Sequence, residues 1–139
     1  MTASILDHAE GGLFSLPAGQ MATLIPVAHA KGLDVVTLDL AHARSTRQGL
    51  QQLGKALQLP DWYAANFDAL FDCLADPAWQ AERGLLLCLN GLARWQNPDD
   101  RETLLDVLTA ICEAREKSAT PIWIAIDMPL PGIAEFPSA

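Results

Sequence analysis

Three short apolar segments, spaced along the chain, constrain its fold more than any other feature. They occupy residues 34–40, 84–90 and 121–126, and their Val, Ile and Leu content is typical of buried strands. Helical segments separate them, and strands that alternate with helices usually pair in parallel. The sequence therefore predicts an α/β fold, in which helices pack on a small, mainly parallel sheet of three strands.

The first 33 residues precede this pattern and form an N-terminal extension. Residues 12–16 alternate weakly between apolar and polar, which predicts a short edge strand, a possible fourth strand of the sheet. Residues 18–31 predict a helix that stops at Gly32, with Pro26 either kinking or dividing it. We expect one domain over residues 1–139, with a core at 34–127 and a loose, proline-containing tail at 128–139.

Two further helices are predicted from their first residues. Ser45 or Thr46 would cap a helix that runs to about Gln58, and the Asn97-Pro98 pair precedes a long helix over about 101–117. Their predicted buried faces are Leu50, Leu53 and Leu57 in the first, and Leu104, Leu105, Leu108, Ile111 and Cys112 in the second.

The charge balance restricts the choice of partner. Seventeen acidic residues against nine basic ones give a formal net charge of −8. Such a chain repels phosphate backbones, so we expect no binding to nucleic acid. An acidic surface favours rapid encounter with a basic protein, although it also serves ordinary solubility.

Cysteine spacing and the absence of long apolar segments indicate the compartment. Cys73, Cys88 and Cys112 form no CxxC pair or metal-binding spacing, which predicts core thiols in a reducing environment and no cofactor. The N-terminus lacks the basic and apolar regions of a signal peptide, and no segment is long enough to span a membrane. We therefore expect a cytoplasmic protein without membrane contact.

Residues 59–74, LPDWYAANFDALFDCL, contain the densest functional signal. Asn66 is a candidate N-cap for a short helix. Helical periodicity predicts one apolar face for that helix, with Phe71 at its edge and two carboxylates beside it. The predicted apolar face consists of Phe67, Leu70, Phe71 and Leu74, and the carboxylates are Asp68 and Asp72.

The carboxylate pair allows more than one interpretation. Asp68 and Asp72 could hold Mg²⁺ or divide acid and base roles in a small hydrolase, or they could be a solvated helix face. The chain has no GxGxxG, GxxxxGK[ST], HExxH or GxSxG motif to accompany them. Trp62 and Tyr63 precede the helix, and aromatic side chains beside carboxylates form a surface suited to Arg and Lys of a partner protein.

The same sixteen residues resemble the signature of the barstar family, small intracellular proteins that inhibit secreted ribonucleases. The family pattern is Leu-Pro, two aromatic residues, a small residue, Asn, an apolar residue, Asp-Ala-Leu, an aromatic residue and Asp-Cys-Leu, and the likeness continues in element order over about 34–127. Phe71 departs from the Trp of the best-known member, and Ala64 departs from its Gly.

The resemblance implies a function and a set of contact residues. It implies a barstar-like α/β fold and a non-catalytic inhibitor of the toxin-immunity type that binds a basic ribonuclease one-to-one. The sequence leaves the oligomeric state open, and we favour a monomer. The alternatives are a barstar-like module for a different protein partner and the metal-dependent hydrolase. The implied rim consists of Trp62, Asp68, Phe71 and Asp72, with Tyr63 and Asn66 beside it and Glu102 as the best match to a further family glutamate. Asp72 would occupy the substrate-phosphate site of the nuclease and meet its arginines and catalytic histidine.

Overall fold

The structure of the chain, a computed structural model, describes residue 6 and residues 11–16, 18–76, 84–95, 97–116 and 120–127. The strands are β1 (Gly12–Ser15), β2 (Asp34–Asp39), β3 (Leu85–Asn90) and β4 (Ile122–Ile126). The α-helices are α1 (Ala18–Ala30), α2 (Thr46–Ala56), α3 (Phe67–Ala75) and α4 (Pro98–Arg115). The expected loose tail at 128–139 lies outside the described residues.

The four strands form one sheet in the order β1-β4-β3-β2, and each neighbouring pair is parallel. The predicted α/β class is therefore confirmed, and the possible fourth strand is present. Every residue of β4 and nearly every residue of β3 is buried, as expected for central strands that are covered on both faces.

Helices cover the two faces of the sheet unequally. Leu85, Leu87 and Leu89 pack with α2, α3 and α4 in one cluster. Leu86 and Cys88, which alternate with them along β3, pack with α1 in a second cluster. The N-terminal extension therefore belongs to the fold, because β1 extends the sheet and α1 covers its second face.

The strand β2 corrects a prediction. Its composition predicted a buried strand, but it lies at the sheet edge beside β3, where Thr37 and Asp39 are exposed and the other residues are half-buried. An edge strand has one neighbour and less helix cover, so β-branched residues can occupy it while part of the strand remains in contact with solvent.

The observed helix caps match the caps predicted from the sequence more closely than the observed helix bounds match the predicted bounds. The Ser45 hydroxyl accepts a hydrogen bond from the Gln48 N–H at 3.1 Å and caps α2. Asn97 caps α4, which begins at Pro98, three residues before the predicted start, because proline suits the first helical turn.

Helix α1 continues through Pro26 without division. Among the described helices, none is long and apolar enough to cross a bilayer.

Candidate functional site

Helix α3 presents one face to the core and the opposite face to solvent. The Asn66 side chain accepts a hydrogen bond from the Ala69 N–H at 2.7 Å, which confirms it as the N-cap. Leu70 and Leu74 are fully buried, as predicted. The buried face also includes Ala69 and Cys73, whereas the predicted apolar positions Phe67 and Phe71 are half-buried and exposed.

The solvent face of α3 meets α4 across a shallow cavity of about 450 Å³, which we name the α3–α4 groove. Its lining combines carboxylates, phenyl rings and small apolar side chains. The lining residues are Phe67, Asp68, Phe71 and Asp72 from α3 and Asp106, Val107 and Ala110 from α4.

The groove has the chemistry of a cation-binding surface. Three carboxylates, from Asp68, Asp72 and Asp106, border it, and none of the described residues that line it is basic. Phe71 is 36% exposed and adds an aromatic ring beside the carboxylates. A guanidinium group can pair with carboxylates through two parallel hydrogen bonds and stack on a ring. The groove is therefore suited to arginine side chains of a partner.

The structure separates the two adjacent aromatic residues that precede α3. Trp62 is 60% exposed, so its ring is free to contact a partner. Tyr63 is half-buried, and its hydroxyl donates a hydrogen bond to the Leu50 carbonyl of α2 at 2.8 Å. Burial, with a smaller contribution from Cys73, raises the pKa of Tyr63 to about 12. Tyr63 therefore anchors the loop that carries Trp62.

Gly54 on α2 has no side chain, and the Tyr63 ring occupies the space beside it. A Cβ atom at Gly54 would lie 2.4 Å from the Tyr63 ring. We expect Gly54→Ala to lower the free energy of unfolding by about 1–2 kcal/mol, because overpacking exceeds the gain in helix propensity. Urea denaturation measures this change. Gly19→Ala in α1 is the matched control, since no atom lies within 4 Å of a Cβ there; equal effects of the two substitutions would contradict the packing argument.

The third carboxylate expected at the rim, Glu102, is placed differently. Glu102 is exposed in the first half of α4 and does not line the α3–α4 groove. Asp106, one helical turn further along, does line it. Asp106 was not among the predicted rim residues, although its i+4 spacing from Glu102 puts both on one face of the predicted helix. No local pattern indicated which turn of that face would lie opposite α3.

Arg115, at the end of α4, holds the far end of α3 in place. The side chain is 1% exposed. Its Nη1 atom donates to the Leu74 and Asp76 carbonyls at 3.3 Å and 2.9 Å, and its Nη2 atom donates to the Thr120 carbonyl at 2.7 Å. Burial lowers the pKa of Arg115, and the Asp76 carboxylate opposes that shift. A buried cation at the carboxyl end of α3 satisfies carbonyls that this helix leaves open.

The cysteines have no role in the groove. Cys73, Cys88 and Cys112 are free and buried, which confirms them as core thiols. Burial raises the pKa of Cys88 to about 11 and that of Cys112 to about 12. Thiols with such values are poor nucleophiles. The described part of the chain also contains no group of three or more His, Cys, Asp or Glu side chains arranged to hold a metal ion.

A family model matches most of the chain. The family model described as Barstar (barnase inhibitor) matches residues 33–127, which is more than half of the chain. The matched range starts just before β2 and ends just after β4, so it includes both helices of the α3–α4 groove. It leaves out β1 and α1. A comparison with curated proteins finds no match.

Proposed function

Since this chain belongs to the Barstar (barnase inhibitor) family, we propose that it inhibits a basic, barnase-like ribonuclease by covering the active site of that enzyme. The observation that carries this proposal is the α3–α4 groove, where three carboxylates lie beside the exposed ring of Phe71. An active site that binds RNA phosphates is lined by cations, and the groove presents the opposite charge.

The proposed contacts follow from the position of each side chain. Asp72 replaces a substrate phosphate among the arginines and catalytic histidine of the nuclease. Asp68 and Asp106 bind further cations from opposite walls of the groove. Trp62 and Phe71 supply aromatic surface for contact with the nuclease. Tyr63 and Asn66 position the loop and α3, and Glu102 contributes charge beside the groove rather than within it.

The inhibition requires no catalytic step by this protein. A one-to-one complex blocks substrate access, and the bound carboxylates resist hydrolysis because they contain no phosphodiester bond. We propose a cytoplasmic immunity role, in which the protein protects its own cell from the nuclease. Three free, buried cysteines are compatible with a reducing compartment.

Isothermal titration against a barnase-like ribonuclease, combined with an RNA-cleavage assay, tests this proposal. We expect one-to-one binding and complete loss of cleavage at equimolar inhibitor. Binding without inhibition would indicate a module that contacts the nuclease away from its active site. Absence of binding to any of a panel of basic ribonucleases would refute the ribonuclease proposal and favour a different protein partner.

Salt should act mainly on the association rate. The net charge of −8 attracts a basic enzyme over long distances. We expect the association rate constant to fall at least about tenfold between low salt and about 0.5 M, with a much smaller change in dissociation. Stopped-flow fluorescence measures both constants. An association rate that is independent of salt would contradict electrostatic steering by this surface.

A further inference from the structure

The outer edge of β2 is open to pairing with another strand. β2 has six residues, compared with four in β1 at the opposite edge of the sheet. Natural edge strands are commonly protected by proline, lysine or a bulge. β2 contains neither proline nor lysine, and its register with β3 is continuous from Asp34 to Asp39. Four of its residues are half-buried and two are exposed, so the strand keeps contact with solvent.

The backbone of β2 presents unpaired hydrogen-bonding groups along this edge. The N–H groups of Asp34 and Leu40 donate to carbonyls of the β3 segment at 2.9 Å and 2.8 Å. Because backbone groups alternate in direction along a strand, those of Val35, Thr37 and Asp39 point away from β3. Within the described part of the chain, these three N–H and three C=O groups have no hydrogen-bond partner.

The charge around this edge indicates what can approach it. Residues 34–60, which include β2 and α2, contain two acidic and three basic residues, whereas the whole chain has a net charge of −8. Val36 and Leu38 of β2 pack in the same cluster as α2, so this helix lies beside the edge. A second copy of the chain is therefore repelled less at the β2 edge than at the acidic remainder of the surface.

Two β2 strands are self-complementary when they pair in antiparallel orientation about Thr37. Thr37 then lies opposite its own copy and Val35 lies opposite Asp39, so that all the outward backbone groups form hydrogen bonds. On the other face of the sheet, Val36 lies opposite Leu38, and these apolar side chains extend the cluster that includes α2. Threonine pairs and apolar pairs stabilise adjacent antiparallel strands. Neither Asp39 side chain lies opposite a carboxylate.

From these observations we propose that two copies of this chain associate through their β2 edges and form one continuous sheet about a two-fold axis at Thr37. Both copies use the same edge, so the assembly closes as a dimer. Strand pairing alone covers less than the roughly 800 Å² per partner of a stable interface, which predicts a dissociation constant of about 0.1–1 mM. The chain is therefore a monomer at micromolar concentration. This contact is independent of the proposed inhibition, since no residue of β2 lines the α3–α4 groove.

Sedimentation equilibrium of the full chain, at protein concentrations around that dissociation constant, tests the association. We expect the dimer to become more stable between low salt and about 0.5 M, because screening weakens the repulsion between two chains of net charge −8. This response is opposite to the one expected for association with a nuclease. A monomer at every concentration and salt would overturn the proposal and leave the edge to a strand of a different protein. Species larger than a dimer would contradict the two-fold contact.

A lysine substitution tests the position of the axis. Thr37→Lys places two positive charges directly opposite each other, and we expect it to weaken self-association at least about tenfold. Thr37 is exposed, and thermal unfolding verifies that the fold is kept. Thr103→Lys adds the same charge at an exposed position of α4 and should change the dissociation constant less than about threefold. Equal weakening by the two substitutions would overturn the proposal.

Cysteine substitutions test the register. Cα atoms of a hydrogen-bonded antiparallel pair lie about 5.5 Å apart, which is within disulfide range. With oxidised glutathione, Thr37→Cys should give a disulfide-linked dimer at least about tenfold faster than the exposed control Thr103→Cys. Asp39→Cys lies opposite Val35 and should react no faster than that control. The native cysteines are buried, so they do not contribute. Thr37→Cys reacting at the rate of the control, or more slowly than Asp39→Cys, would overturn the proposed pairing.

Discussion

Replacement of Asp72 by alanine is expected to weaken the complex with a barnase-like ribonuclease by about 2–5 kcal/mol, a rise in Kd of roughly 30-fold to 5,000-fold. Asp72 is exposed on α3 and borders the groove, so its carboxylate is available to the cations of the enzyme. Its loss would leave those cations buried without a partner, which is the main source of the penalty. Isothermal titration or competition for RNA cleavage measures the change.

Two further variants distinguish charge from shape. Asp72→Asn keeps the size of the side chain and removes its charge, so an effect similar to that of Asp72→Ala would identify the charge as the important property. Glu113→Gln removes one negative charge from an exposed position of α4 outside the groove, and we expect its Kd to change less than about threefold. If Glu113→Gln were as damaging as Asp72→Asn, the groove would not be the binding site.

The largest expected effect on stability comes from Arg115→Ala, which should lower the free energy of unfolding by about 3–5 kcal/mol. Removal of this side chain leaves the Leu74, Asp76 and Thr120 carbonyls without the hydrogen bonds that it donates. It also opens a cavity between the ends of α3 and α4. A loss of this size is a large fraction of the 5–15 kcal/mol typical of a domain, and urea denaturation measures it.

A milder substitution at the same position tests the buried hydrogen bonds even if the Arg115→Ala protein does not fold. Arg115→Lys keeps the positive charge but cannot donate from a planar guanidinium to several carbonyls at once, so we expect a loss of at least about 2 kcal/mol. Arg47→Ala, at an exposed arginine of α2, is the control and should change stability by less than about 0.5 kcal/mol. Similar losses for Arg115→Lys and Arg47→Ala would show that the buried hydrogen bonds contribute little.

The part of the candidate site on and before α3 was largely predictable because it lies in one continuous segment. Asn66 as N-cap and Leu70 and Leu74 as core contacts follow from helix periodicity, and the structure confirms them. The different placement of Trp62 and Tyr63 was not predictable in detail. Two adjacent aromatic residues have similar local preferences, and contact with α2 through Leu50 and Gly54 decides which one is anchored.

Arg115 is a second feature that the sequence did not indicate. Arg115 lies three residues after Cys112, so helical spacing places it next to the predicted buried face of α4. A charged residue at such a position is expected to extend its charged group to solvent. The ends of α3 and the start of β4 surround it with carbonyl groups, so its burial is compensated. The carbonyls of Leu74 and Asp76 come from a segment about 40 residues away in the chain, so no local pattern indicates that they surround this position.

By itself, the sequence determined the class of the fold, the capped helices, the central strands and the family, because each depends on residues that are close together in the chain. The tertiary structure alone decided that β2 is an edge strand, that α1 covers the second face, and that Asp106 rather than Glu102 borders the groove. These features depend on which faces of distant elements meet. That choice is made by packing of the whole core, to which every element contributes.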